Sequence, residues 1–225
     1  MTTDQDAISA SLLAELPASL RDHLLADALP VDLPAGSTIY RADDPARCAL
    51  VITGLIRVIL LAPDGRTVTV RYARFGELLG VPTIVGGPLS VVVHLVTDSR
   101  LLMMNAPALR LLAETEPTVA WLLAREVTQR LRETLDAVAD NAFGSLRQRV
   151  ARHLLDLAEE RNGGLIAPVT QQDLADAVGS ARPAVARVVA ELRELGLVAT
   201  DSAGIAIVQP EGLHEQTWSQ SVSHR

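Results

Sequence analysis

The chain has few aromatic residues, one cysteine and no lysine. Aromatic residues make up 3% of its 225 residues, so a core drawn from its 48% hydrophobic residues depends mainly on Leu, Val, Ile and Ala. The single Cys48 excludes an intrachain disulfide framework and a four-cysteine iron–sulfur cluster within the chain. Its apolar neighbours at 49–51 indicate a small buried core residue. Because base composition of a genome can produce an all-arginine bias, the missing lysine carries no functional conclusion.

Long hydrophobic runs are also absent. Residues 89–96 form one of the longest apolar stretches, but they are too few to cross a bilayer and His94 interrupts them. The N-terminal residues lack the basic region and apolar run of a secretory signal. We therefore expect a cytoplasmic protein with no membrane partner. The formal net charge of −7 argues against a nonspecific polyanion binder, although specific DNA binding requires only one basic face.

The first 116 residues predict an effector-sensing β domain behind a short helical segment. Residues 7–28 carry leucines at helical spacing. From 29 to about 105 the pattern changes to short β runs at 37–40, 49–51, 55–61, 67–72 and 91–96. Pro63-Asp64-Gly65 between two of these runs predicts a hairpin turn. Together they predict an antiparallel β-sandwich or β-roll of the jelly-roll kind within an α+β chain.

A long helix is predicted from Pro117 to about residue 142, because proline fits the first turn of a helix. A heptad seam runs along it, and Leu122, Leu123 and Leu135 lie off that seam, where they are expected to pack on the β-roll. We infer that the seam faces the same helix of a second subunit, and a plain buried helix remains the alternative. The seam residues are Ala120, Ala124, Val127, Leu131, Thr134 and Val138.

Residues 117–143 are assigned to the dimerisation helix and hinge, and Gly144 is a natural hinge position. Residues 144–225 are predicted to form a winged helix-turn-helix. Ser145 is expected to cap a helix that runs through Glu160 and ends at Asn162-Gly163-Gly164. The last residues, 214–225, are polar and expected to fray.

The segment 168–210 carries the helix-turn-helix pattern. Thr170, paired with Asp173, is expected to cap a helix over 171–177. Gly179 lies in the turn, and Ser180 is expected to cap a second helix with Pro183 in its first turn. Two β runs, 197–200 and 205–208, flank a turn at 201–204 and form the wing.

The second helix presents Arg182 and Arg187 away from its apolar stripe. A helix of this kind fits the major groove of DNA, where arginine pairs with the O6 and N7 atoms of guanine. The alternative is that both are solvated surface arginines. The candidate DNA-binding residues are Thr170, Gln171, Ser180, Arg182, Pro183 and Arg187.

The order of β-roll, long helix, hinge and winged helix resembles the Crp/Fnr superfamily of bacterial regulators over nearly the whole chain. Residues 75–80 (Phe-Gly-Glu-Leu-Leu-Gly) resemble a turn of the family's cyclic-nucleotide pocket, 141–143 resemble its hinge, and 178–187 resemble its recognition segment. The resemblance implies a homodimeric transcription regulator on pseudo-palindromic duplex DNA, with RNA polymerase and a small effector as candidate partners. Pro183 replaces the acidic residue that often follows the first arginine, so the familiar base code does not transfer.

The predicted effector pocket departs from that family pattern. The residues predicted to form it are Glu77, Leu78, Leu89, Ser90 and Thr134. By the resemblance, Leu89 occupies the position where cyclic-AMP-binding members have a phosphate-binding arginine. The only nearby arginines expected are Arg74 and Arg100, outside the pocket wall, although Arg74 or Arg130 of the partner subunit is a possible substitute. We therefore expect an effector other than cyclic AMP. The apolar residues Val81, Ile84, Val85, Leu89, Val91 and Val93 predict a site for an apolar or weakly polar ligand, or for none.

Other functions remain open at this point. They are a cyclic-nucleotide regulator with an atypical pocket, a haem or nitric-oxide sensor that uses His94, an effector-independent DNA binder, and a winged helix that binds protein. An enzyme is not expected, since Glu77 and His94 are the only buried-looking polar candidates and nothing pairs them with a nucleophile. No cofactor and no metal site are expected.

Overall fold

The computed structural model describes residues 4–42, 44–62, 67–161, 164–201 and 204–217. These residues form two compact units. The first contains residues 4–62 and 70–134, and most of the second is residues 135–217. Within the described residues, no helix combines the length and apolar character needed to span a membrane.

The chain begins with three short helices: α1 (Asp4–Ala10), a 3-10 helix (Leu12–Glu15) and α2 (Ala18–Leu25). The Ser11 hydroxyl accepts the N–H of Leu13 at 3.2 Å, which starts the 3-10 helix. Pro17 starts α2, since proline has no N–H to continue the preceding helix. The predicted helical segment over 7–28 is therefore helical, but it is divided into separate short helices.

Eight antiparallel strands of the first unit form two four-stranded sheets, ordered β1-β8-β3-β6 and β2-β7-β4-β5. Each predicted β run corresponds to a strand, whereas β1, β6 and β8 were not predicted. The predicted turn Pro63-Asp64-Gly65 lies outside the described residues. The strands are β1 (Leu29–Leu33), β2 (Thr38–Tyr40), β3 (Cys48–Thr53), β4 (Ile56–Leu61), β5 (Thr67–Ala73), β6 (Leu78–Leu79), β7 (Val91–Leu95) and β8 (Ser99–Met104).

Strand β3 is buried on both faces. Cys48, Leu50 and Ile52 point into a core shared with the helices, while Ala49 and Val51 point into a second core shared with the other sheet. This double burial explains why β3 is a continuous apolar run without polar alternation.

Three further helices belong to the β-sheet region: α3 (Val81–Gly86), α4 (Ala106–Thr115) and the start of α5 (Pro117–Phe143). The predicted start of the long helix at Pro117 is confirmed. Leu122 and Leu123 are buried against the helix-side core, as expected. Leu135 is 58% exposed, so the expectation that it packs on the β-roll was wrong.

The second unit contains α6 (Leu146–Leu157), α7 (Gln171–Ala177), α8 (Arg182–Glu194) and α9 (Pro210–Glu215). Its sheet has the order β11-β12-β10-β9. These strands are β9 (Glu159–Arg161), β10 (Gly164–Ala167), β11 (Val198–Asp201) and β12 (Gly204–Ile207).

Helix α6 begins as predicted and ends early. Ser145 and Gln148 form a reciprocal capping box, with Ser145 N–H donating to Gln148 Oε1 at 2.6 Å. The predicted end at Glu160 was wrong, because Glu159–Arg161 leave the helix to pair with β10. Residues 162–163, and 218–225 of the predicted frayed end, lie outside the described residues.

Candidate functional site

The helix-turn-helix of the second unit is built from local caps and one glycine turn. Thr170 caps α7: its Oγ1 accepts the N–H of Asp173 at 3.1 Å, and Asp173 Oδ2 accepts the N–H of Thr170 at 3.0 Å. Gly179 adopts φ +63°, a left-handed conformation that glycine permits. The Ser180 N–H then donates to the Ala175 carbonyl at 3.0 Å, which closes the turn between α7 and α8.

Helix α8 buries one face and exposes two arginines. Val185, Val189 and Leu192 are nearly or fully buried in the second unit. Arg182, Pro183 and Arg187 are exposed. In the part of the chain that the structure describes, neither arginine forms an ion pair or hydrogen bond. Both guanidinium groups therefore keep all their donors for an outside partner.

The start of α8 differs in one detail from the prediction. Its N-cap residue is Ala181, and no side chain caps the helix there. Ser180 is half-buried in the turn one residue earlier, so the predicted Ser180 cap was wrong. Pro183 lies in the first turn as predicted, where it costs no hydrogen bond. Of the other candidate residues, Thr170 is exposed and Gln171 is half-buried at the start of α7.

The predicted wing is an antiparallel pair, β11 with β12, in which Thr200 faces Ile205 and Val198 faces Ile207. Residues 202–203 of its turn lie outside the described residues. Gly204 is required here, because a Cβ atom would come within 2.3 Å of the Ala167 carbonyl oxygen. The wing strand thus lies directly against β10.

A cavity of about 300 Å³ lies in the first unit, walled by strands of both sheets, by α3 and by α5. Four of the five predicted pocket residues line it: Leu78, Leu89, Ser90 and Thr134. Among the predicted apolar residues, Val91 and Val93 also line it.

Three other residues of that prediction do not line the cavity. Val81 and Ile84 are buried in the core shared with the helices, and Val85 is 59% exposed. They belong to α3, and that helix lines the cavity with Pro82 and Thr83 instead. Gly80 makes this helix possible, since its φ is +85° and a Cβ atom would come within 1.7 Å of the Arg47 carbonyl oxygen.

Glu77, the fifth predicted pocket residue, lies behind two guanidinium groups. Its Oε2 accepts from Nη1 of Arg71 at 2.5 Å and from Nη1 of Arg130 at 3.4 Å. Both arginines line the cavity, whereas Glu77 does not. The carboxylate is thus engaged by the protein itself.

Arg130 anchors this cluster to α5. It donates to Glu126 at 2.7 Å and to Glu133 at 2.7 Å. Burial works against its charge, but hydrogen bonds to Glu126 and Glu133 together with their negative charges raise the pKa of Arg130. Burial and the nearby charge of Arg130 lower the pKa of Arg71, which also donates to the Leu78 carbonyl at 2.9 Å.

The sequence prediction missed Arg71 and assigned Arg130 only to the partner subunit. Arg74 and Arg100 were expected to be the only nearby arginines, which was wrong. Arg100 instead pairs with Asp4 at 3.1 Å and with Asp32 at 3.3 Å. The alternation of side chains along β5 could have identified Arg71. Arg71 lies two positions before Ala73, on the same face of the strand, and Ala73 is fully buried between the sheets.

Part of the exposed surface of α5 is apolar. The seam residues Leu131 and Val138 are 55% and 58% exposed, and Trp121, which is not a seam residue, is 69% exposed. Of the other seam residues, Val127 and Thr134 are half-buried, and Ala120 and Ala124 are exposed. Exposed apolar residues in such a row favour a protein partner.

Cys48 and His94 lie on different strands of the first unit, β3 and β7. Burial, with a smaller contribution from the charge of Glu126, raises the pKa of the Cys48 thiol to about 12. His94 is half-buried on β7, opposite Thr38 and Arg57. No group of three or more metal-ligating side chains occurs among the described residues.

Two family models match the chain. The model of the Crp-like helix-turn-helix domain matches residues 148–216, which include α7 and α8. The model of the cyclic nucleotide-binding domain matches residues 30–116, which include the strands around the cavity.

Characterised proteins match over most of the chain. The transcriptional regulator LdrP of Thermus thermophilus is 30% identical over 169 residues, which cover 72% of this chain and 84% of that protein. The CRP-like cAMP-activated global transcriptional regulator of Mycobacterium tuberculosis is 29% identical and covers 82% of this chain and 86% of that protein. The solved structure of a CRP/FNR family transcriptional regulator, also from Thermus thermophilus, is similar with a TM-score of 0.70 at 28% identity, covering 86% and 100% of the two chains.

Proposed function

This chain belongs to the Crp/Fnr family of DNA-binding transcription regulators, and on that premise we propose that it binds a pseudo-palindromic DNA site as a homodimer under the control of an effector other than cyclic AMP. Two α8 helices related by a dimer axis would meet successive major grooves about 34 Å apart. A cytoplasmic location and contact with RNA polymerase belong to the same proposal, since a regulator acts where polymerase and DNA meet.

DNA recognition is supported mainly by the exposure of Arg182 and Arg187 and by their lack of carboxylate partners among the described residues. Both are exposed on α8, and neither is neutralised by a carboxylate among the described residues. The chain as a whole is acidic, with a formal net charge of −7. Free guanidinium groups on the helix that follows the glycine turn therefore mark the surface that meets phosphate or guanine.

The exposed apolar seam residues of α5 support the homodimer. A symmetric dimer places the same surface of each copy against the other, so Leu131 would lie near its own symmetry mate. Val127, Thr134 and Val138 complete this proposed seam.

The cavity supports an effector other than cyclic AMP. Leu89, at the position where the family resemblance implies a phosphate-binding arginine, lines the cavity and is 42% exposed. Glu77, which the sequence predicted to be in the effector pocket, already accepts hydrogen bonds from Arg71 and Arg130. The M. tuberculosis relative is named as cAMP-activated, and the proposed pocket of this chain (Leu78, Leu89, Ser90 and Thr134) favours a different ligand.

Selection of genomic DNA fragments by the purified protein, followed by sequencing, tests DNA recognition. We expect an enriched inverted repeat with half-sites one helical turn apart. The absence of any enriched repeat would favour a winged helix that binds protein. Cyclic AMP is tested by titration, with binding heat and operator affinity followed together, because an effector must bind the DNA-competent state more tightly. Micromolar binding coupled to a clear gain in operator affinity would restore the cyclic-nucleotide function.

A further inference from the structure

The cavity of the first unit combines apolar walls with guanidinium donors. Its walls are mainly aliphatic, and Arg47, Arg71 and Arg130 also line it. No aspartate or glutamate among the described residues lines it. A pocket of this composition favours ligands that are apolar over most of their surface and carry a negative group.

The carboxylates that hold the two buried arginines lie away from the cavity. Glu77, Glu126 and Glu133 bind Arg71 and Arg130 without lining the cavity themselves. Among the described residues, the Nη2 group of Arg130 has no hydrogen-bond partner. The glutamates therefore fix the guanidinium groups in position while donors remain for a ligand, as in sites where supporting residues orient the binding groups.

The size of the cavity limits the ligand. An apolar cavity of roughly 150 Å³ holds benzene, so about 300 Å³ corresponds to about 12 non-hydrogen atoms. A ten-carbon carboxylate has about this many, whereas cyclic AMP has about 22, nearly all of them in polar or ring groups. Leu60 and Leu89 line the cavity and are 47% and 42% exposed, so the entrance is apolar.

Resting on the proposed function, we propose that the effector is a hydrophobic monoanion, a medium-chain carboxylate whose head group binds Arg71 and Arg130 and whose chain lies along the aliphatic strands. Thr134 lies one helical turn from Arg130 on the same wall, with its hydroxyl already donated to the Arg130 carbonyl at 2.7 Å. The head group is therefore bound by guanidinium donors, which suit a planar carboxylate.

Calorimetric titration of the full chain with decanoate and with 1-decanol tests the charge requirement. The two probes share a chain length and differ in the head group. Because charge-assisted hydrogen bonds are about twice as strong as neutral ones, we expect decanoate to bind about ten- to a hundredfold more tightly. Equal affinity for decanol would overturn the charged head group, and tighter binding of cyclic AMP than of decanoate would overturn the ligand class.

A pair of variants on β4 tests the location. Val58 lines the cavity, and Ile59 beside it does not. Val58→Phe should fill the cavity and weaken decanoate binding at least about tenfold, while Ile59→Phe, on the other face of the strand, should leave it unchanged. Equal binding by all three proteins would place decanoate elsewhere and overturn the proposal.

Operator binding by the same samples separates this inference from the proposed function. Decanoate should change the operator affinity of the wild-type chain and not that of Val58→Phe. If operator binding is intact but decanoate does not bind, the ligand inference alone fails. If decanoate binds with the predicted selectivity but no operator is found, the proposed DNA function alone fails.

Discussion

Helices α5 and α8 distribute their side chains in opposite ways. α8 is a common amphipathic helix, with valines and a leucine inside and Arg182 and Arg187 outside. α5 places Glu126 and Arg130 against the protein, while Leu131 and Val138 remain more than half exposed. The difference indicates two partners: free arginines suit an anionic surface such as DNA, and free apolar residues suit a second copy of α5.

The largest loss of stability should come from removing a buried charge of α5. Arg130→Met leaves Glu126, which is 2% exposed, without its cation. Breaking a buried pair in this way costs about 3–5 kcal/mol, so urea unfolding followed by circular dichroism should show a loss of that order in the first unit. Arg125→Met is the matched control on the same helix, because Arg125 and its partner Glu15 are each 47% exposed and such pairs contribute roughly 0–1 kcal/mol. Equal losses in both variants would show that the inward charges do not stabilise α5.

The next effect concerns the outward side of α5. Burying the exposed half of Leu131 in a dimer would contribute roughly 1–1.5 kcal/mol, about half the value of a whole leucine, so Leu131→Glu should cost about 2–3 kcal/mol for the two copies. The added charges should raise this further. Light scattering across a concentration series should show the shift to monomer. Leu111→Glu on α4, where Leu111 is 63% exposed away from the seam, should leave the dimer unchanged. A stable dimer of Leu131→Glu would mean that another surface forms the interface.

Sequence reasoning succeeded where structure is set by neighbouring residues. The Thr170–Asp173 capping box, the left-handed Gly179 and the start of α5 at Pro117 all depend on contacts within a few positions. It failed where distant segments decide the outcome. α6 ends at Leu157 because β9 pairs with β10, which in turn pairs with the distant β12. β8 is a central strand whose short apolar run shows no alternation.

The candidate site shows the same division. The exposed arginines of α8 follow from the periodicity of one helix. Arg71 and Arg130 form ion pairs with Glu77 only in the folded first unit, where β5, β6 and α5 pack together. No local sequence pattern predicts these pairs. An arginine on the buried face of a strand nevertheless requires a partner, since an unpaired buried charge is costly, and this rule identifies Arg71 for closer attention.

The third prediction concerns the outward arginines of α8. Arg187→Ala should weaken operator binding by about 1–3 kcal/mol if the side chain reads a base, with relaxed specificity at one position. If it binds phosphate, affinity should fall for every sequence and the dependence on salt should flatten. Arg193→Ala removes the same charge from the last turn of α8, also exposed, and serves as the control. Electrophoretic mobility or anisotropy titrations at several salt concentrations measure both, and an equal loss for Arg193→Ala would exclude a specific role for Arg187.

The smallest effect separates the two roles of Thr170, which caps α7 and is also a candidate DNA contact. Thr170→Ala removes one capping box of the second unit, and Ser145→Ala removes another at the start of α6. Each should cost about 1 kcal/mol of stability, measured by calorimetric unfolding, because one helical N–H loses its acceptor. If Thr170 only caps, both variants should bind the operator as the wild type does under conditions where they remain folded. If it also contacts DNA, only Thr170→Ala should lose affinity, and Thr170→Ser, which keeps the hydroxyl, should recover both stability and binding. A loss of operator affinity in Ser145→Ala as large as in Thr170→Ala would instead show that binding depends on the stability of the whole unit, and a separate role of Thr170 in DNA contact would be excluded.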